Sequence, residues 1–247
     1  MLTANLHDAL PLRKHNTLPN GTGYYRTNFI GRDALLRTEG PTCYLIEQDP
    51  DTTILPHFHR ANQFQIFVAG HGRLGKQAFR PLTVHYTGAY TSYGPIIAQE
   101  DGVHYFTVRD AFDPGARWMP ESRAEMPRVP RRHMMSEPLD LENVAVGTND
   151  TVESVALGPE PDGLGALHVK LGAHARWLAD GKAGAAGKFL LLLKGDATLQ
   201  DRSLKSYGCV HLDPKDDEVE LAAGDQGAQL LVLTFPRTEA HQATTTQ

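Results

Sequence analysis

The feature that most constrains this chain is a long-range repeat of strand-like runs. KFLLLLKG, from Lys188 to Gly195, stands 125 positions after QFQIFVAG, from Gln63 to Gly70. The stretch from Gln226 to Leu233 stands the same 125 positions after that from Asp101 to Val108. Val84-His85-Tyr86 and Val210-His211-Leu212 match at a shift of 126, so one indel is expected between two halves of nearly equal length. Runs and turns kept in register over such a distance imply one module used twice.

Within each half the β-prone runs are short. The first half offers Tyr24–Ile30, Cys43–Glu47, Phe64–Val68, Thr83–Tyr86 and Val103–Val108. The second offers Ser154–Leu157, Ala166–Leu171, Lys188–Leu193, Cys209–Leu212 and Ala228–Phe235. Turn residues separate them, at Gly40-Pro41, Asp49-Pro50-Asp51, Gly70–Gly75, Gly94-Pro95 and Asp101-Gly102. Short strands at this density predict an all-β chain with an antiparallel sandwich or barrel in each half. A polar arm, residues 1–23, precedes the first module, residues 24–112. Pro11, Pro19, Gly21 and Gly23 argue against a helix in the arm, which is expected to order only against something else. Residues 113–143 interleave prolines and arginines too closely for a long helix or a central strand, and read as an extended connector. The second module is placed at 144–240, with a tail at 241–247.

At 247 residues the chain is long enough to bury a real core, and its net charge of −5 argues against a dedicated nucleic-acid binder. No apolar run reaches the roughly 18 residues that would span a bilayer. Asp8 and Pro11 interrupt the place where a signal peptide needs an apolar segment. Cys43 and Cys209 make neither a disulfide framework nor a metal pair by spacing, so the expectation is a reduced, cytoplasmic protein without membrane or nucleic-acid partners.

The chemistry concentrates in ILPHFHRANQFQIFVAGHGRLG, from Ile54 to Gly75. On a strand, side chains two apart share a face, so His57 and His59 point together, and Gln63 rejoins them from the next strand. Imidazole nitrogen and a side-chain oxygen suit a divalent first-row metal. With twelve histidines in 247 positions, roughly 0.6 such His-x-His pairs arise by chance, so the pair counts only in its context.

That context resembles the cupins, and the duplication resembles a two-domain cupin. The first cupin motif has the form G-x5-H-x-H-x3/4-E-x6-G. Here His57 and His59 match the histidines, Gln63 stands where the family has Glu, Gly70 closes the motif, and Asp51 replaces the leading glycine. The resemblance implies two tandem cupin-type antiparallel β-barrels (jelly rolls) and a divalent metal, iron, manganese, nickel or zinc, at His57, His59 and Gln63. The second cupin motif is irregular. Its histidine falls either to His104, inside the closing strand, or near Tyr93 in YTSYGP, with water as the remaining choice. Gln65, Phe67, Tyr90 and Phe106 are expected in a partly aromatic substrate pocket, with Arg80 and Arg109 as candidate carboxylate anchors. In the second half His57, His59 and Gln63 become Lys182, Gly184 and Lys188, which would repel a cation, so that half is expected to keep structure without a site.

Three functions follow from the resemblance: a dioxygenase-like metal enzyme acting on a small oxygenated or aromatic compound, an isomerase or lyase using the metal as a Lewis acid, and a non-catalytic small-molecule sensor. Replacing Glu by a neutral amide makes the metal a stronger Lewis acid and a weaker reductant. Open barrel edges invite pairing, so a homodimer joined through the arm is expected.

Overall fold

A computed structural model describes residues 1–142, 146–182 and 186–237. Asn143–Ala145 at the expected connector boundary, Gly184, and the tail lie outside the described residues. The arm holds β1 (Leu2–Ala4), one helical turn α1 (Leu6–Ala9), a 3-10 turn and β2 (Lys14–Thr17). The first module contains β3 (Gly23–Ile30), β4 (Thr42–Gln48), β5 (Thr53–Ile54), β6 (His57–Phe58) and β7 (Gln63–Leu74). It closes with β8 (Gln77–Phe79), β9 (Val84–Thr87) and β10 (Ile96–Arg109). The connector adds β11 (Arg117–Trp118) and β12 (His133–Met135). The second module has β13 (Thr151–Leu157), β14 (Gly165–Leu171), β15 (Arg176–Ala179) and β16 (Lys188–Leu199). It ends with β17 (Arg202–Lys205), β18 (Cys209–Leu212) and β19 (Val219–Thr234).

Every named strand pairing is antiparallel, and each module builds its own sheet. The first runs β12-β9-β7-β10-β4-β3-β2, and the second runs β1-β18-β16-β19-β14-β13. Ladder register makes the duplication explicit. Gln63 faces Thr87 and Ile66 faces Val84, while Lys188 faces Leu212 and Leu191 faces Cys209. The shift is therefore 125 for this strand pair as well, and His85 corresponds to Val210, not to His211. The expected indel lies elsewhere: Tyr105 faces Ile46 and Leu230 faces Val169, so β4 maps onto β14 at a shift of 123.

Of the residues Gly70–Gly75 expected to form a turn, Gly70 to Leu74 lie within β7, and the hairpin turns at Gly75. Gly70 sits at φ 75° beside a register shift in β10. A Cβ there would strike the carbonyl oxygen of Gly102, and a Cβ at Gly195 would strike that of Gly227. Both modules thus bend their long hairpin at a pair of glycines that approach backbone to backbone.

Alternation along these strands explains how the modules meet. In β7, Phe64, Ile66 and Val68 point out of the first barrel, and in β16, Phe189, Leu191 and Leu193 point out of the second. They join one buried cluster with Phe106, Val108, Leu231, Leu233 and Phe235. Phe64 and Phe235 lie 5.1 Å apart by ring centroid across this junction. Cys43 and Cys209, both free and fully buried, meet there too, and burial pushes the Cys43 thiol well up, with the neighbouring Cys209 adding to the shift.

The arm is not a free segment. β1 pairs with β18 of the second barrel, and β2 pairs with β3 of the first. Its helical turn, contrary to the reading from proline and glycine, fits because Leu6–Ala9 precedes Pro11. Just as β1 covers β18, β12 covers β9. Each segment caps a sheet edge within the same chain. No helix among the described residues is long and apolar enough to cross a membrane.

Because one apolar layer serves both barrels, they are expected to unfold together. Phe235→Ala should cost about 3–5 kcal/mol. With Trp118 reporting the first module and Trp177 the second, single-tryptophan variants should give coincident urea transitions that move together. Separate midpoints would contradict a shared core.

Candidate metal and ligand site

The interior of the first barrel is polar where that of the second is filled. At matched inward positions Gln65, His85, Tyr105 and Thr107 become Leu190, Val210, Leu230 and Val232, all buried. The second interior is a continuous apolar cluster from Val169 to Val232. Lys182 is exposed and Lys188 is 3.1 Å from Asp180. The first barrel instead holds a cavity of about 580 Å³ that opens to solvent.

β6 and the residue that follows it place the two histidines. The His57 amide donates to the Tyr93 carbonyl at 3.1 Å, and the Tyr93 amide donates back to the His57 carbonyl at 3.0 Å, while β11 pairs on the other side. Phe58 between them is fully buried, so alternation sends His57 and His59 into the cavity, 5% and 7% exposed. Their rings stand 5.1 Å apart and nearly perpendicular.

Hydrogen bonds fix the tautomers. A carbonyl can only accept, so His57 Nδ1–H donates to Leu55 O at 2.7 Å. His59 Nδ1–H donates to Asp113 Oδ1 at 2.8 Å. Both Nε2 atoms are left as lone-pair donors. Burial lowers the His57 pKa to about 4 against the hydrogen bond to Leu55, with Arg109 helping. Burial and then Arg109 lower that of His59 to about 3. Both rings are therefore neutral at pH 7, the form a metal binds.

Asp113 is the organising anion. Besides His59 it accepts from the amides of Gly115 (2.8 Å) and Arg60 (2.7 Å), and Arg109 Nη1 lies 3.6 Å away. Burial alone would raise its carboxyl, but the His59 hydrogen bond, the Arg109 charge and the Arg60 amide together hold it well below the ordinary range. This is the carboxylate–histidine pairing that orients metal ligands. Sequence reading placed Asp113 at the head of the connector and gave it no role.

Gln63 is fully buried, with Oε1 accepting from Arg109 Nε at 3.1 Å and Nε2 without a partner among the described residues. Tyr93 lies 4.5 Å from His57 and 6.4 Å from His59 by ring centroid, and burial pushes its phenol well up, so it stays protonated. His104 is not brought to the site. It faces Glu47 and Ala69, on the side of β10 shared with Phe106 and Val108, which point to the second barrel. Of the expected pocket residues Gln65 lines the cavity. Phe67 stacks on Phe79 at 3.7 Å, Tyr90 lies near Phe58, and Phe106 belongs to the inter-barrel core. Arg80 is exposed, whereas Arg109 is 5% exposed inside the cavity.

His85 was not anticipated as a site neighbour. It is fully buried, donates from Nδ1 to Gln65 Oε1 at 2.7 Å, and its Nε2 has no partner among the described residues. Its ring lies 5.5 Å from Tyr93 and 4.6 Å from His133. Tyr24, Arg26, Tyr44, Tyr105 and Trp118 also line the cavity.

The donor set fits a divalent ion at two positions, the Nε2 atoms of His57 and His59. The Gln63 oxygen is engaged by Arg109, and Asp113 spends its oxygens on His59 and backbone amides. No group of three or more His, Cys, Asp or Glu residues stands at metal spacing among the described residues.

No protein-family model matches the sequence, and no curated protein does either. Solved structures do resemble the fold. A candidate dioxygenase from Nostoc punctiforme aligns with TM-score 0.63 and 11% identity over 92% of this chain and 79% of that one. Oxalate decarboxylase from Bacillus subtilis, studied for its Mn(II) centres, aligns with TM-score 0.58 and 11% identity over 97% and 78%. The pirin YhhW from Escherichia coli, in complex with nickel(II), aligns with TM-score 0.58 and 10% identity over 96% and 99%. At such identities the likeness is one of fold. The chain has the cupin architecture, two tandem antiparallel jelly-roll barrels.

The histidines give the site a pH signature. Each takes up a proton near its ordinary value of 6.5 when unfolded, but only near 4 or 3 when folded. From pH 6.5 down to about 4 the unfolded chain therefore binds more protons, and stability falls with pH. His85, His168 and His211 are lowered by burial as well and act in the same sense. Urea midpoints of metal-stripped protein should drop between pH 7 and 4.5, and a His57→Gln/His59→Gln variant should show a shallower drop.

Proposed function

We propose that the first barrel is a metal-dependent enzyme site for a small oxygenated anion, with dioxygenase-like chemistry. The observation that carries this reading is the pair of neutral imidazoles, each with Nδ1–H committed and Nε2 free, at the wall of a cavity rich in arginine. His57 and His59 would hold the ion. Bound there, iron, manganese, nickel or zinc would supply positive charge and open positions for polarising a substrate oxygen. The structurally similar manganese and nickel proteins support a divalent ion without fixing which one.

The chain's own residues define the rest. Asp113 keeps the His59 lone pair aimed into the cavity. Arg109 places a guanidinium beside both histidines and attracts an anion. Tyr93, held protonated, offers a hydrogen bond to a substrate oxygen next to His57. His57 and His59 would be the protein's contribution to holding the ion, and the cavity beside them has room for a small substrate. The tyrosine-rich wall suits an aromatic or enolic substrate.

A second reading has its own support. Gln63 brings no negative charge, and Arg109 adds a positive one, so the centre favours Lewis-acid isomerisation or elimination over electron donation. Oxygen uptake with catechols and 1,3-diketones, measured on iron-reconstituted protein, separates the two. Consumption with any of them supports the dioxygenase reading, while turnover without O2 supports the second. Failure of the wild type to retain any divalent ion would defeat both. His57→Ala and His59→Ala should lose the ion, and Asp113→Asn should weaken its binding about 10–100-fold while the fold persists.

A further inference from the structure

We infer that Arg26 anchors a carboxylate of the ligand, so that the cavity takes an organic acid held at both ends. Its anionic group sits on Arg26 and its oxygen-bearing end faces His57 and His59; only the second half of that statement rests on the proposed function.

Arg26 lies in β3 opposite Ile46 and turns into the cavity with Tyr24 and Asn28. Its guanidinium carbon stands 3.8 Å from the centre of the Tyr44 ring, and its Nε–H donates to Asn28 Oδ1 at 2.7 Å. Stacking fixes the plane and the hydrogen bond fixes the rotation about it. The two terminal NH2 groups have no hydrogen bond to protein among the described residues, so a planar fork is held ready for a carboxylate.

The absence of an acidic partner separates Arg26 from the other stacked or cavity arginines. Arg13 stacks on Tyr25 but pairs with Glu47 at 2.7 Å. Arg32 pairs with Glu39 at 2.7 Å, and Arg109 has Asp113 at 3.6 Å. Arg26 has no ion pair among the described residues. The cavity wall carries Lys14, Arg26, Arg32 and Arg109 against Asp33 and Asp113, four positive charges against two negative, in a chain whose net charge is −5. A half-buried, immobilised and uncompensated guanidinium inside a cavity is completed by an anion from outside. Arg109, 5.5 Å from the same Tyr44 ring, continues the positive track towards His57 and His59.

Benzoate and its neutral isostere benzamide test this without reference to the metal. Trp118 lines the cavity, and in a Trp177→Phe background its fluorescence alone reports binding. In metal-stripped protein benzoate should bind about tenfold more tightly than benzamide, a ratio well outside error. Arg26→Gln should bring the two to within about twofold, Arg26→Lys should restore part of the preference, and Arg80→Gln, on the surface outside the cavity, should leave it in place. Asn28→Ala, which keeps the charge but frees the guanidinium, should lose part of it and serves if Arg26→Gln folds poorly. Equal affinity for the two probes in the wild type, no benzoate binding, or a preference that survives Arg26→Gln would overturn the assignment. Benzoate preference in a protein that retains no divalent ion would keep Arg26 and remove the metal reading; a retained ion without the preference would do the reverse.

Discussion

The whole molecule depends on one buried apolar layer between two sheets. Each barrel turns every second side chain of its main strands outward, and those side chains find cover only against the other barrel. This explains why Phe64–Val68 and Phe189–Leu193 contain so little polar surface: the sheet is enclosed on both faces, as in a buried strand. It also explains why the arm and the connector are ordered. Once two sheets are held face to face, their open edges at β9 and β18 lie where β12 and β1 can reach them.

With the outer face responsible for cohesion, the inner face is free to differ. In the second barrel it is filled with Leu190, Leu192, Leu230 and Val232 and adds stability. In the first it carries glutamine, histidine, tyrosine and arginine, which cannot be buried without partners. Asp113 makes that arrangement tolerable. It partly offsets the charge of Arg109, accepts the hydrogen bond from His59 Nδ1–H and closes two backbone amides, so that one carboxylate from outside the strand grammar organises a cationic interior.

Much of this was legible in the sequence. The repeat announced two like modules, and alternation correctly put His57 and His59 on one face. QFQIFV against KFLLLL also carried the difference between an open and a filled interior, in Gln65 against Leu190. Other parts were hidden for identifiable reasons. His104 lies only one residue from the inward Tyr105, and one residue decides the face of a strand. A shift of 126 paired His85 with His211, where the ladder pairs it with Val210 and reveals an inward histidine. Asp113 and Arg26 act through tertiary contacts, Asp113 from a loop and Arg26 from a strand that carries none of the motif. No spacing rule along the chain connects either of them to His59 or Tyr44.

The departures from the usual metal motif form a consistent set. A carboxylate at position 63 would attract Arg109 as a full ion pair and remove the guanidinium's charge from the cavity. Glutamine accepts one hydrogen bond from Arg109 Nε and leaves that charge in place. The same substitution that weakens a metal's protein ligand set therefore strengthens the field felt by an anion. Neutral histidines, an arginine whose charge is only partly offset by Asp113, and an Arg26 with no ion pair among the described residues leave the interior with an excess of positive charge. If His57 and His59 hold the ion proposed for them, an acid on Arg26 adds the negative charge that the protein's own residues do not bring, so metal and acid should each raise the affinity for the other.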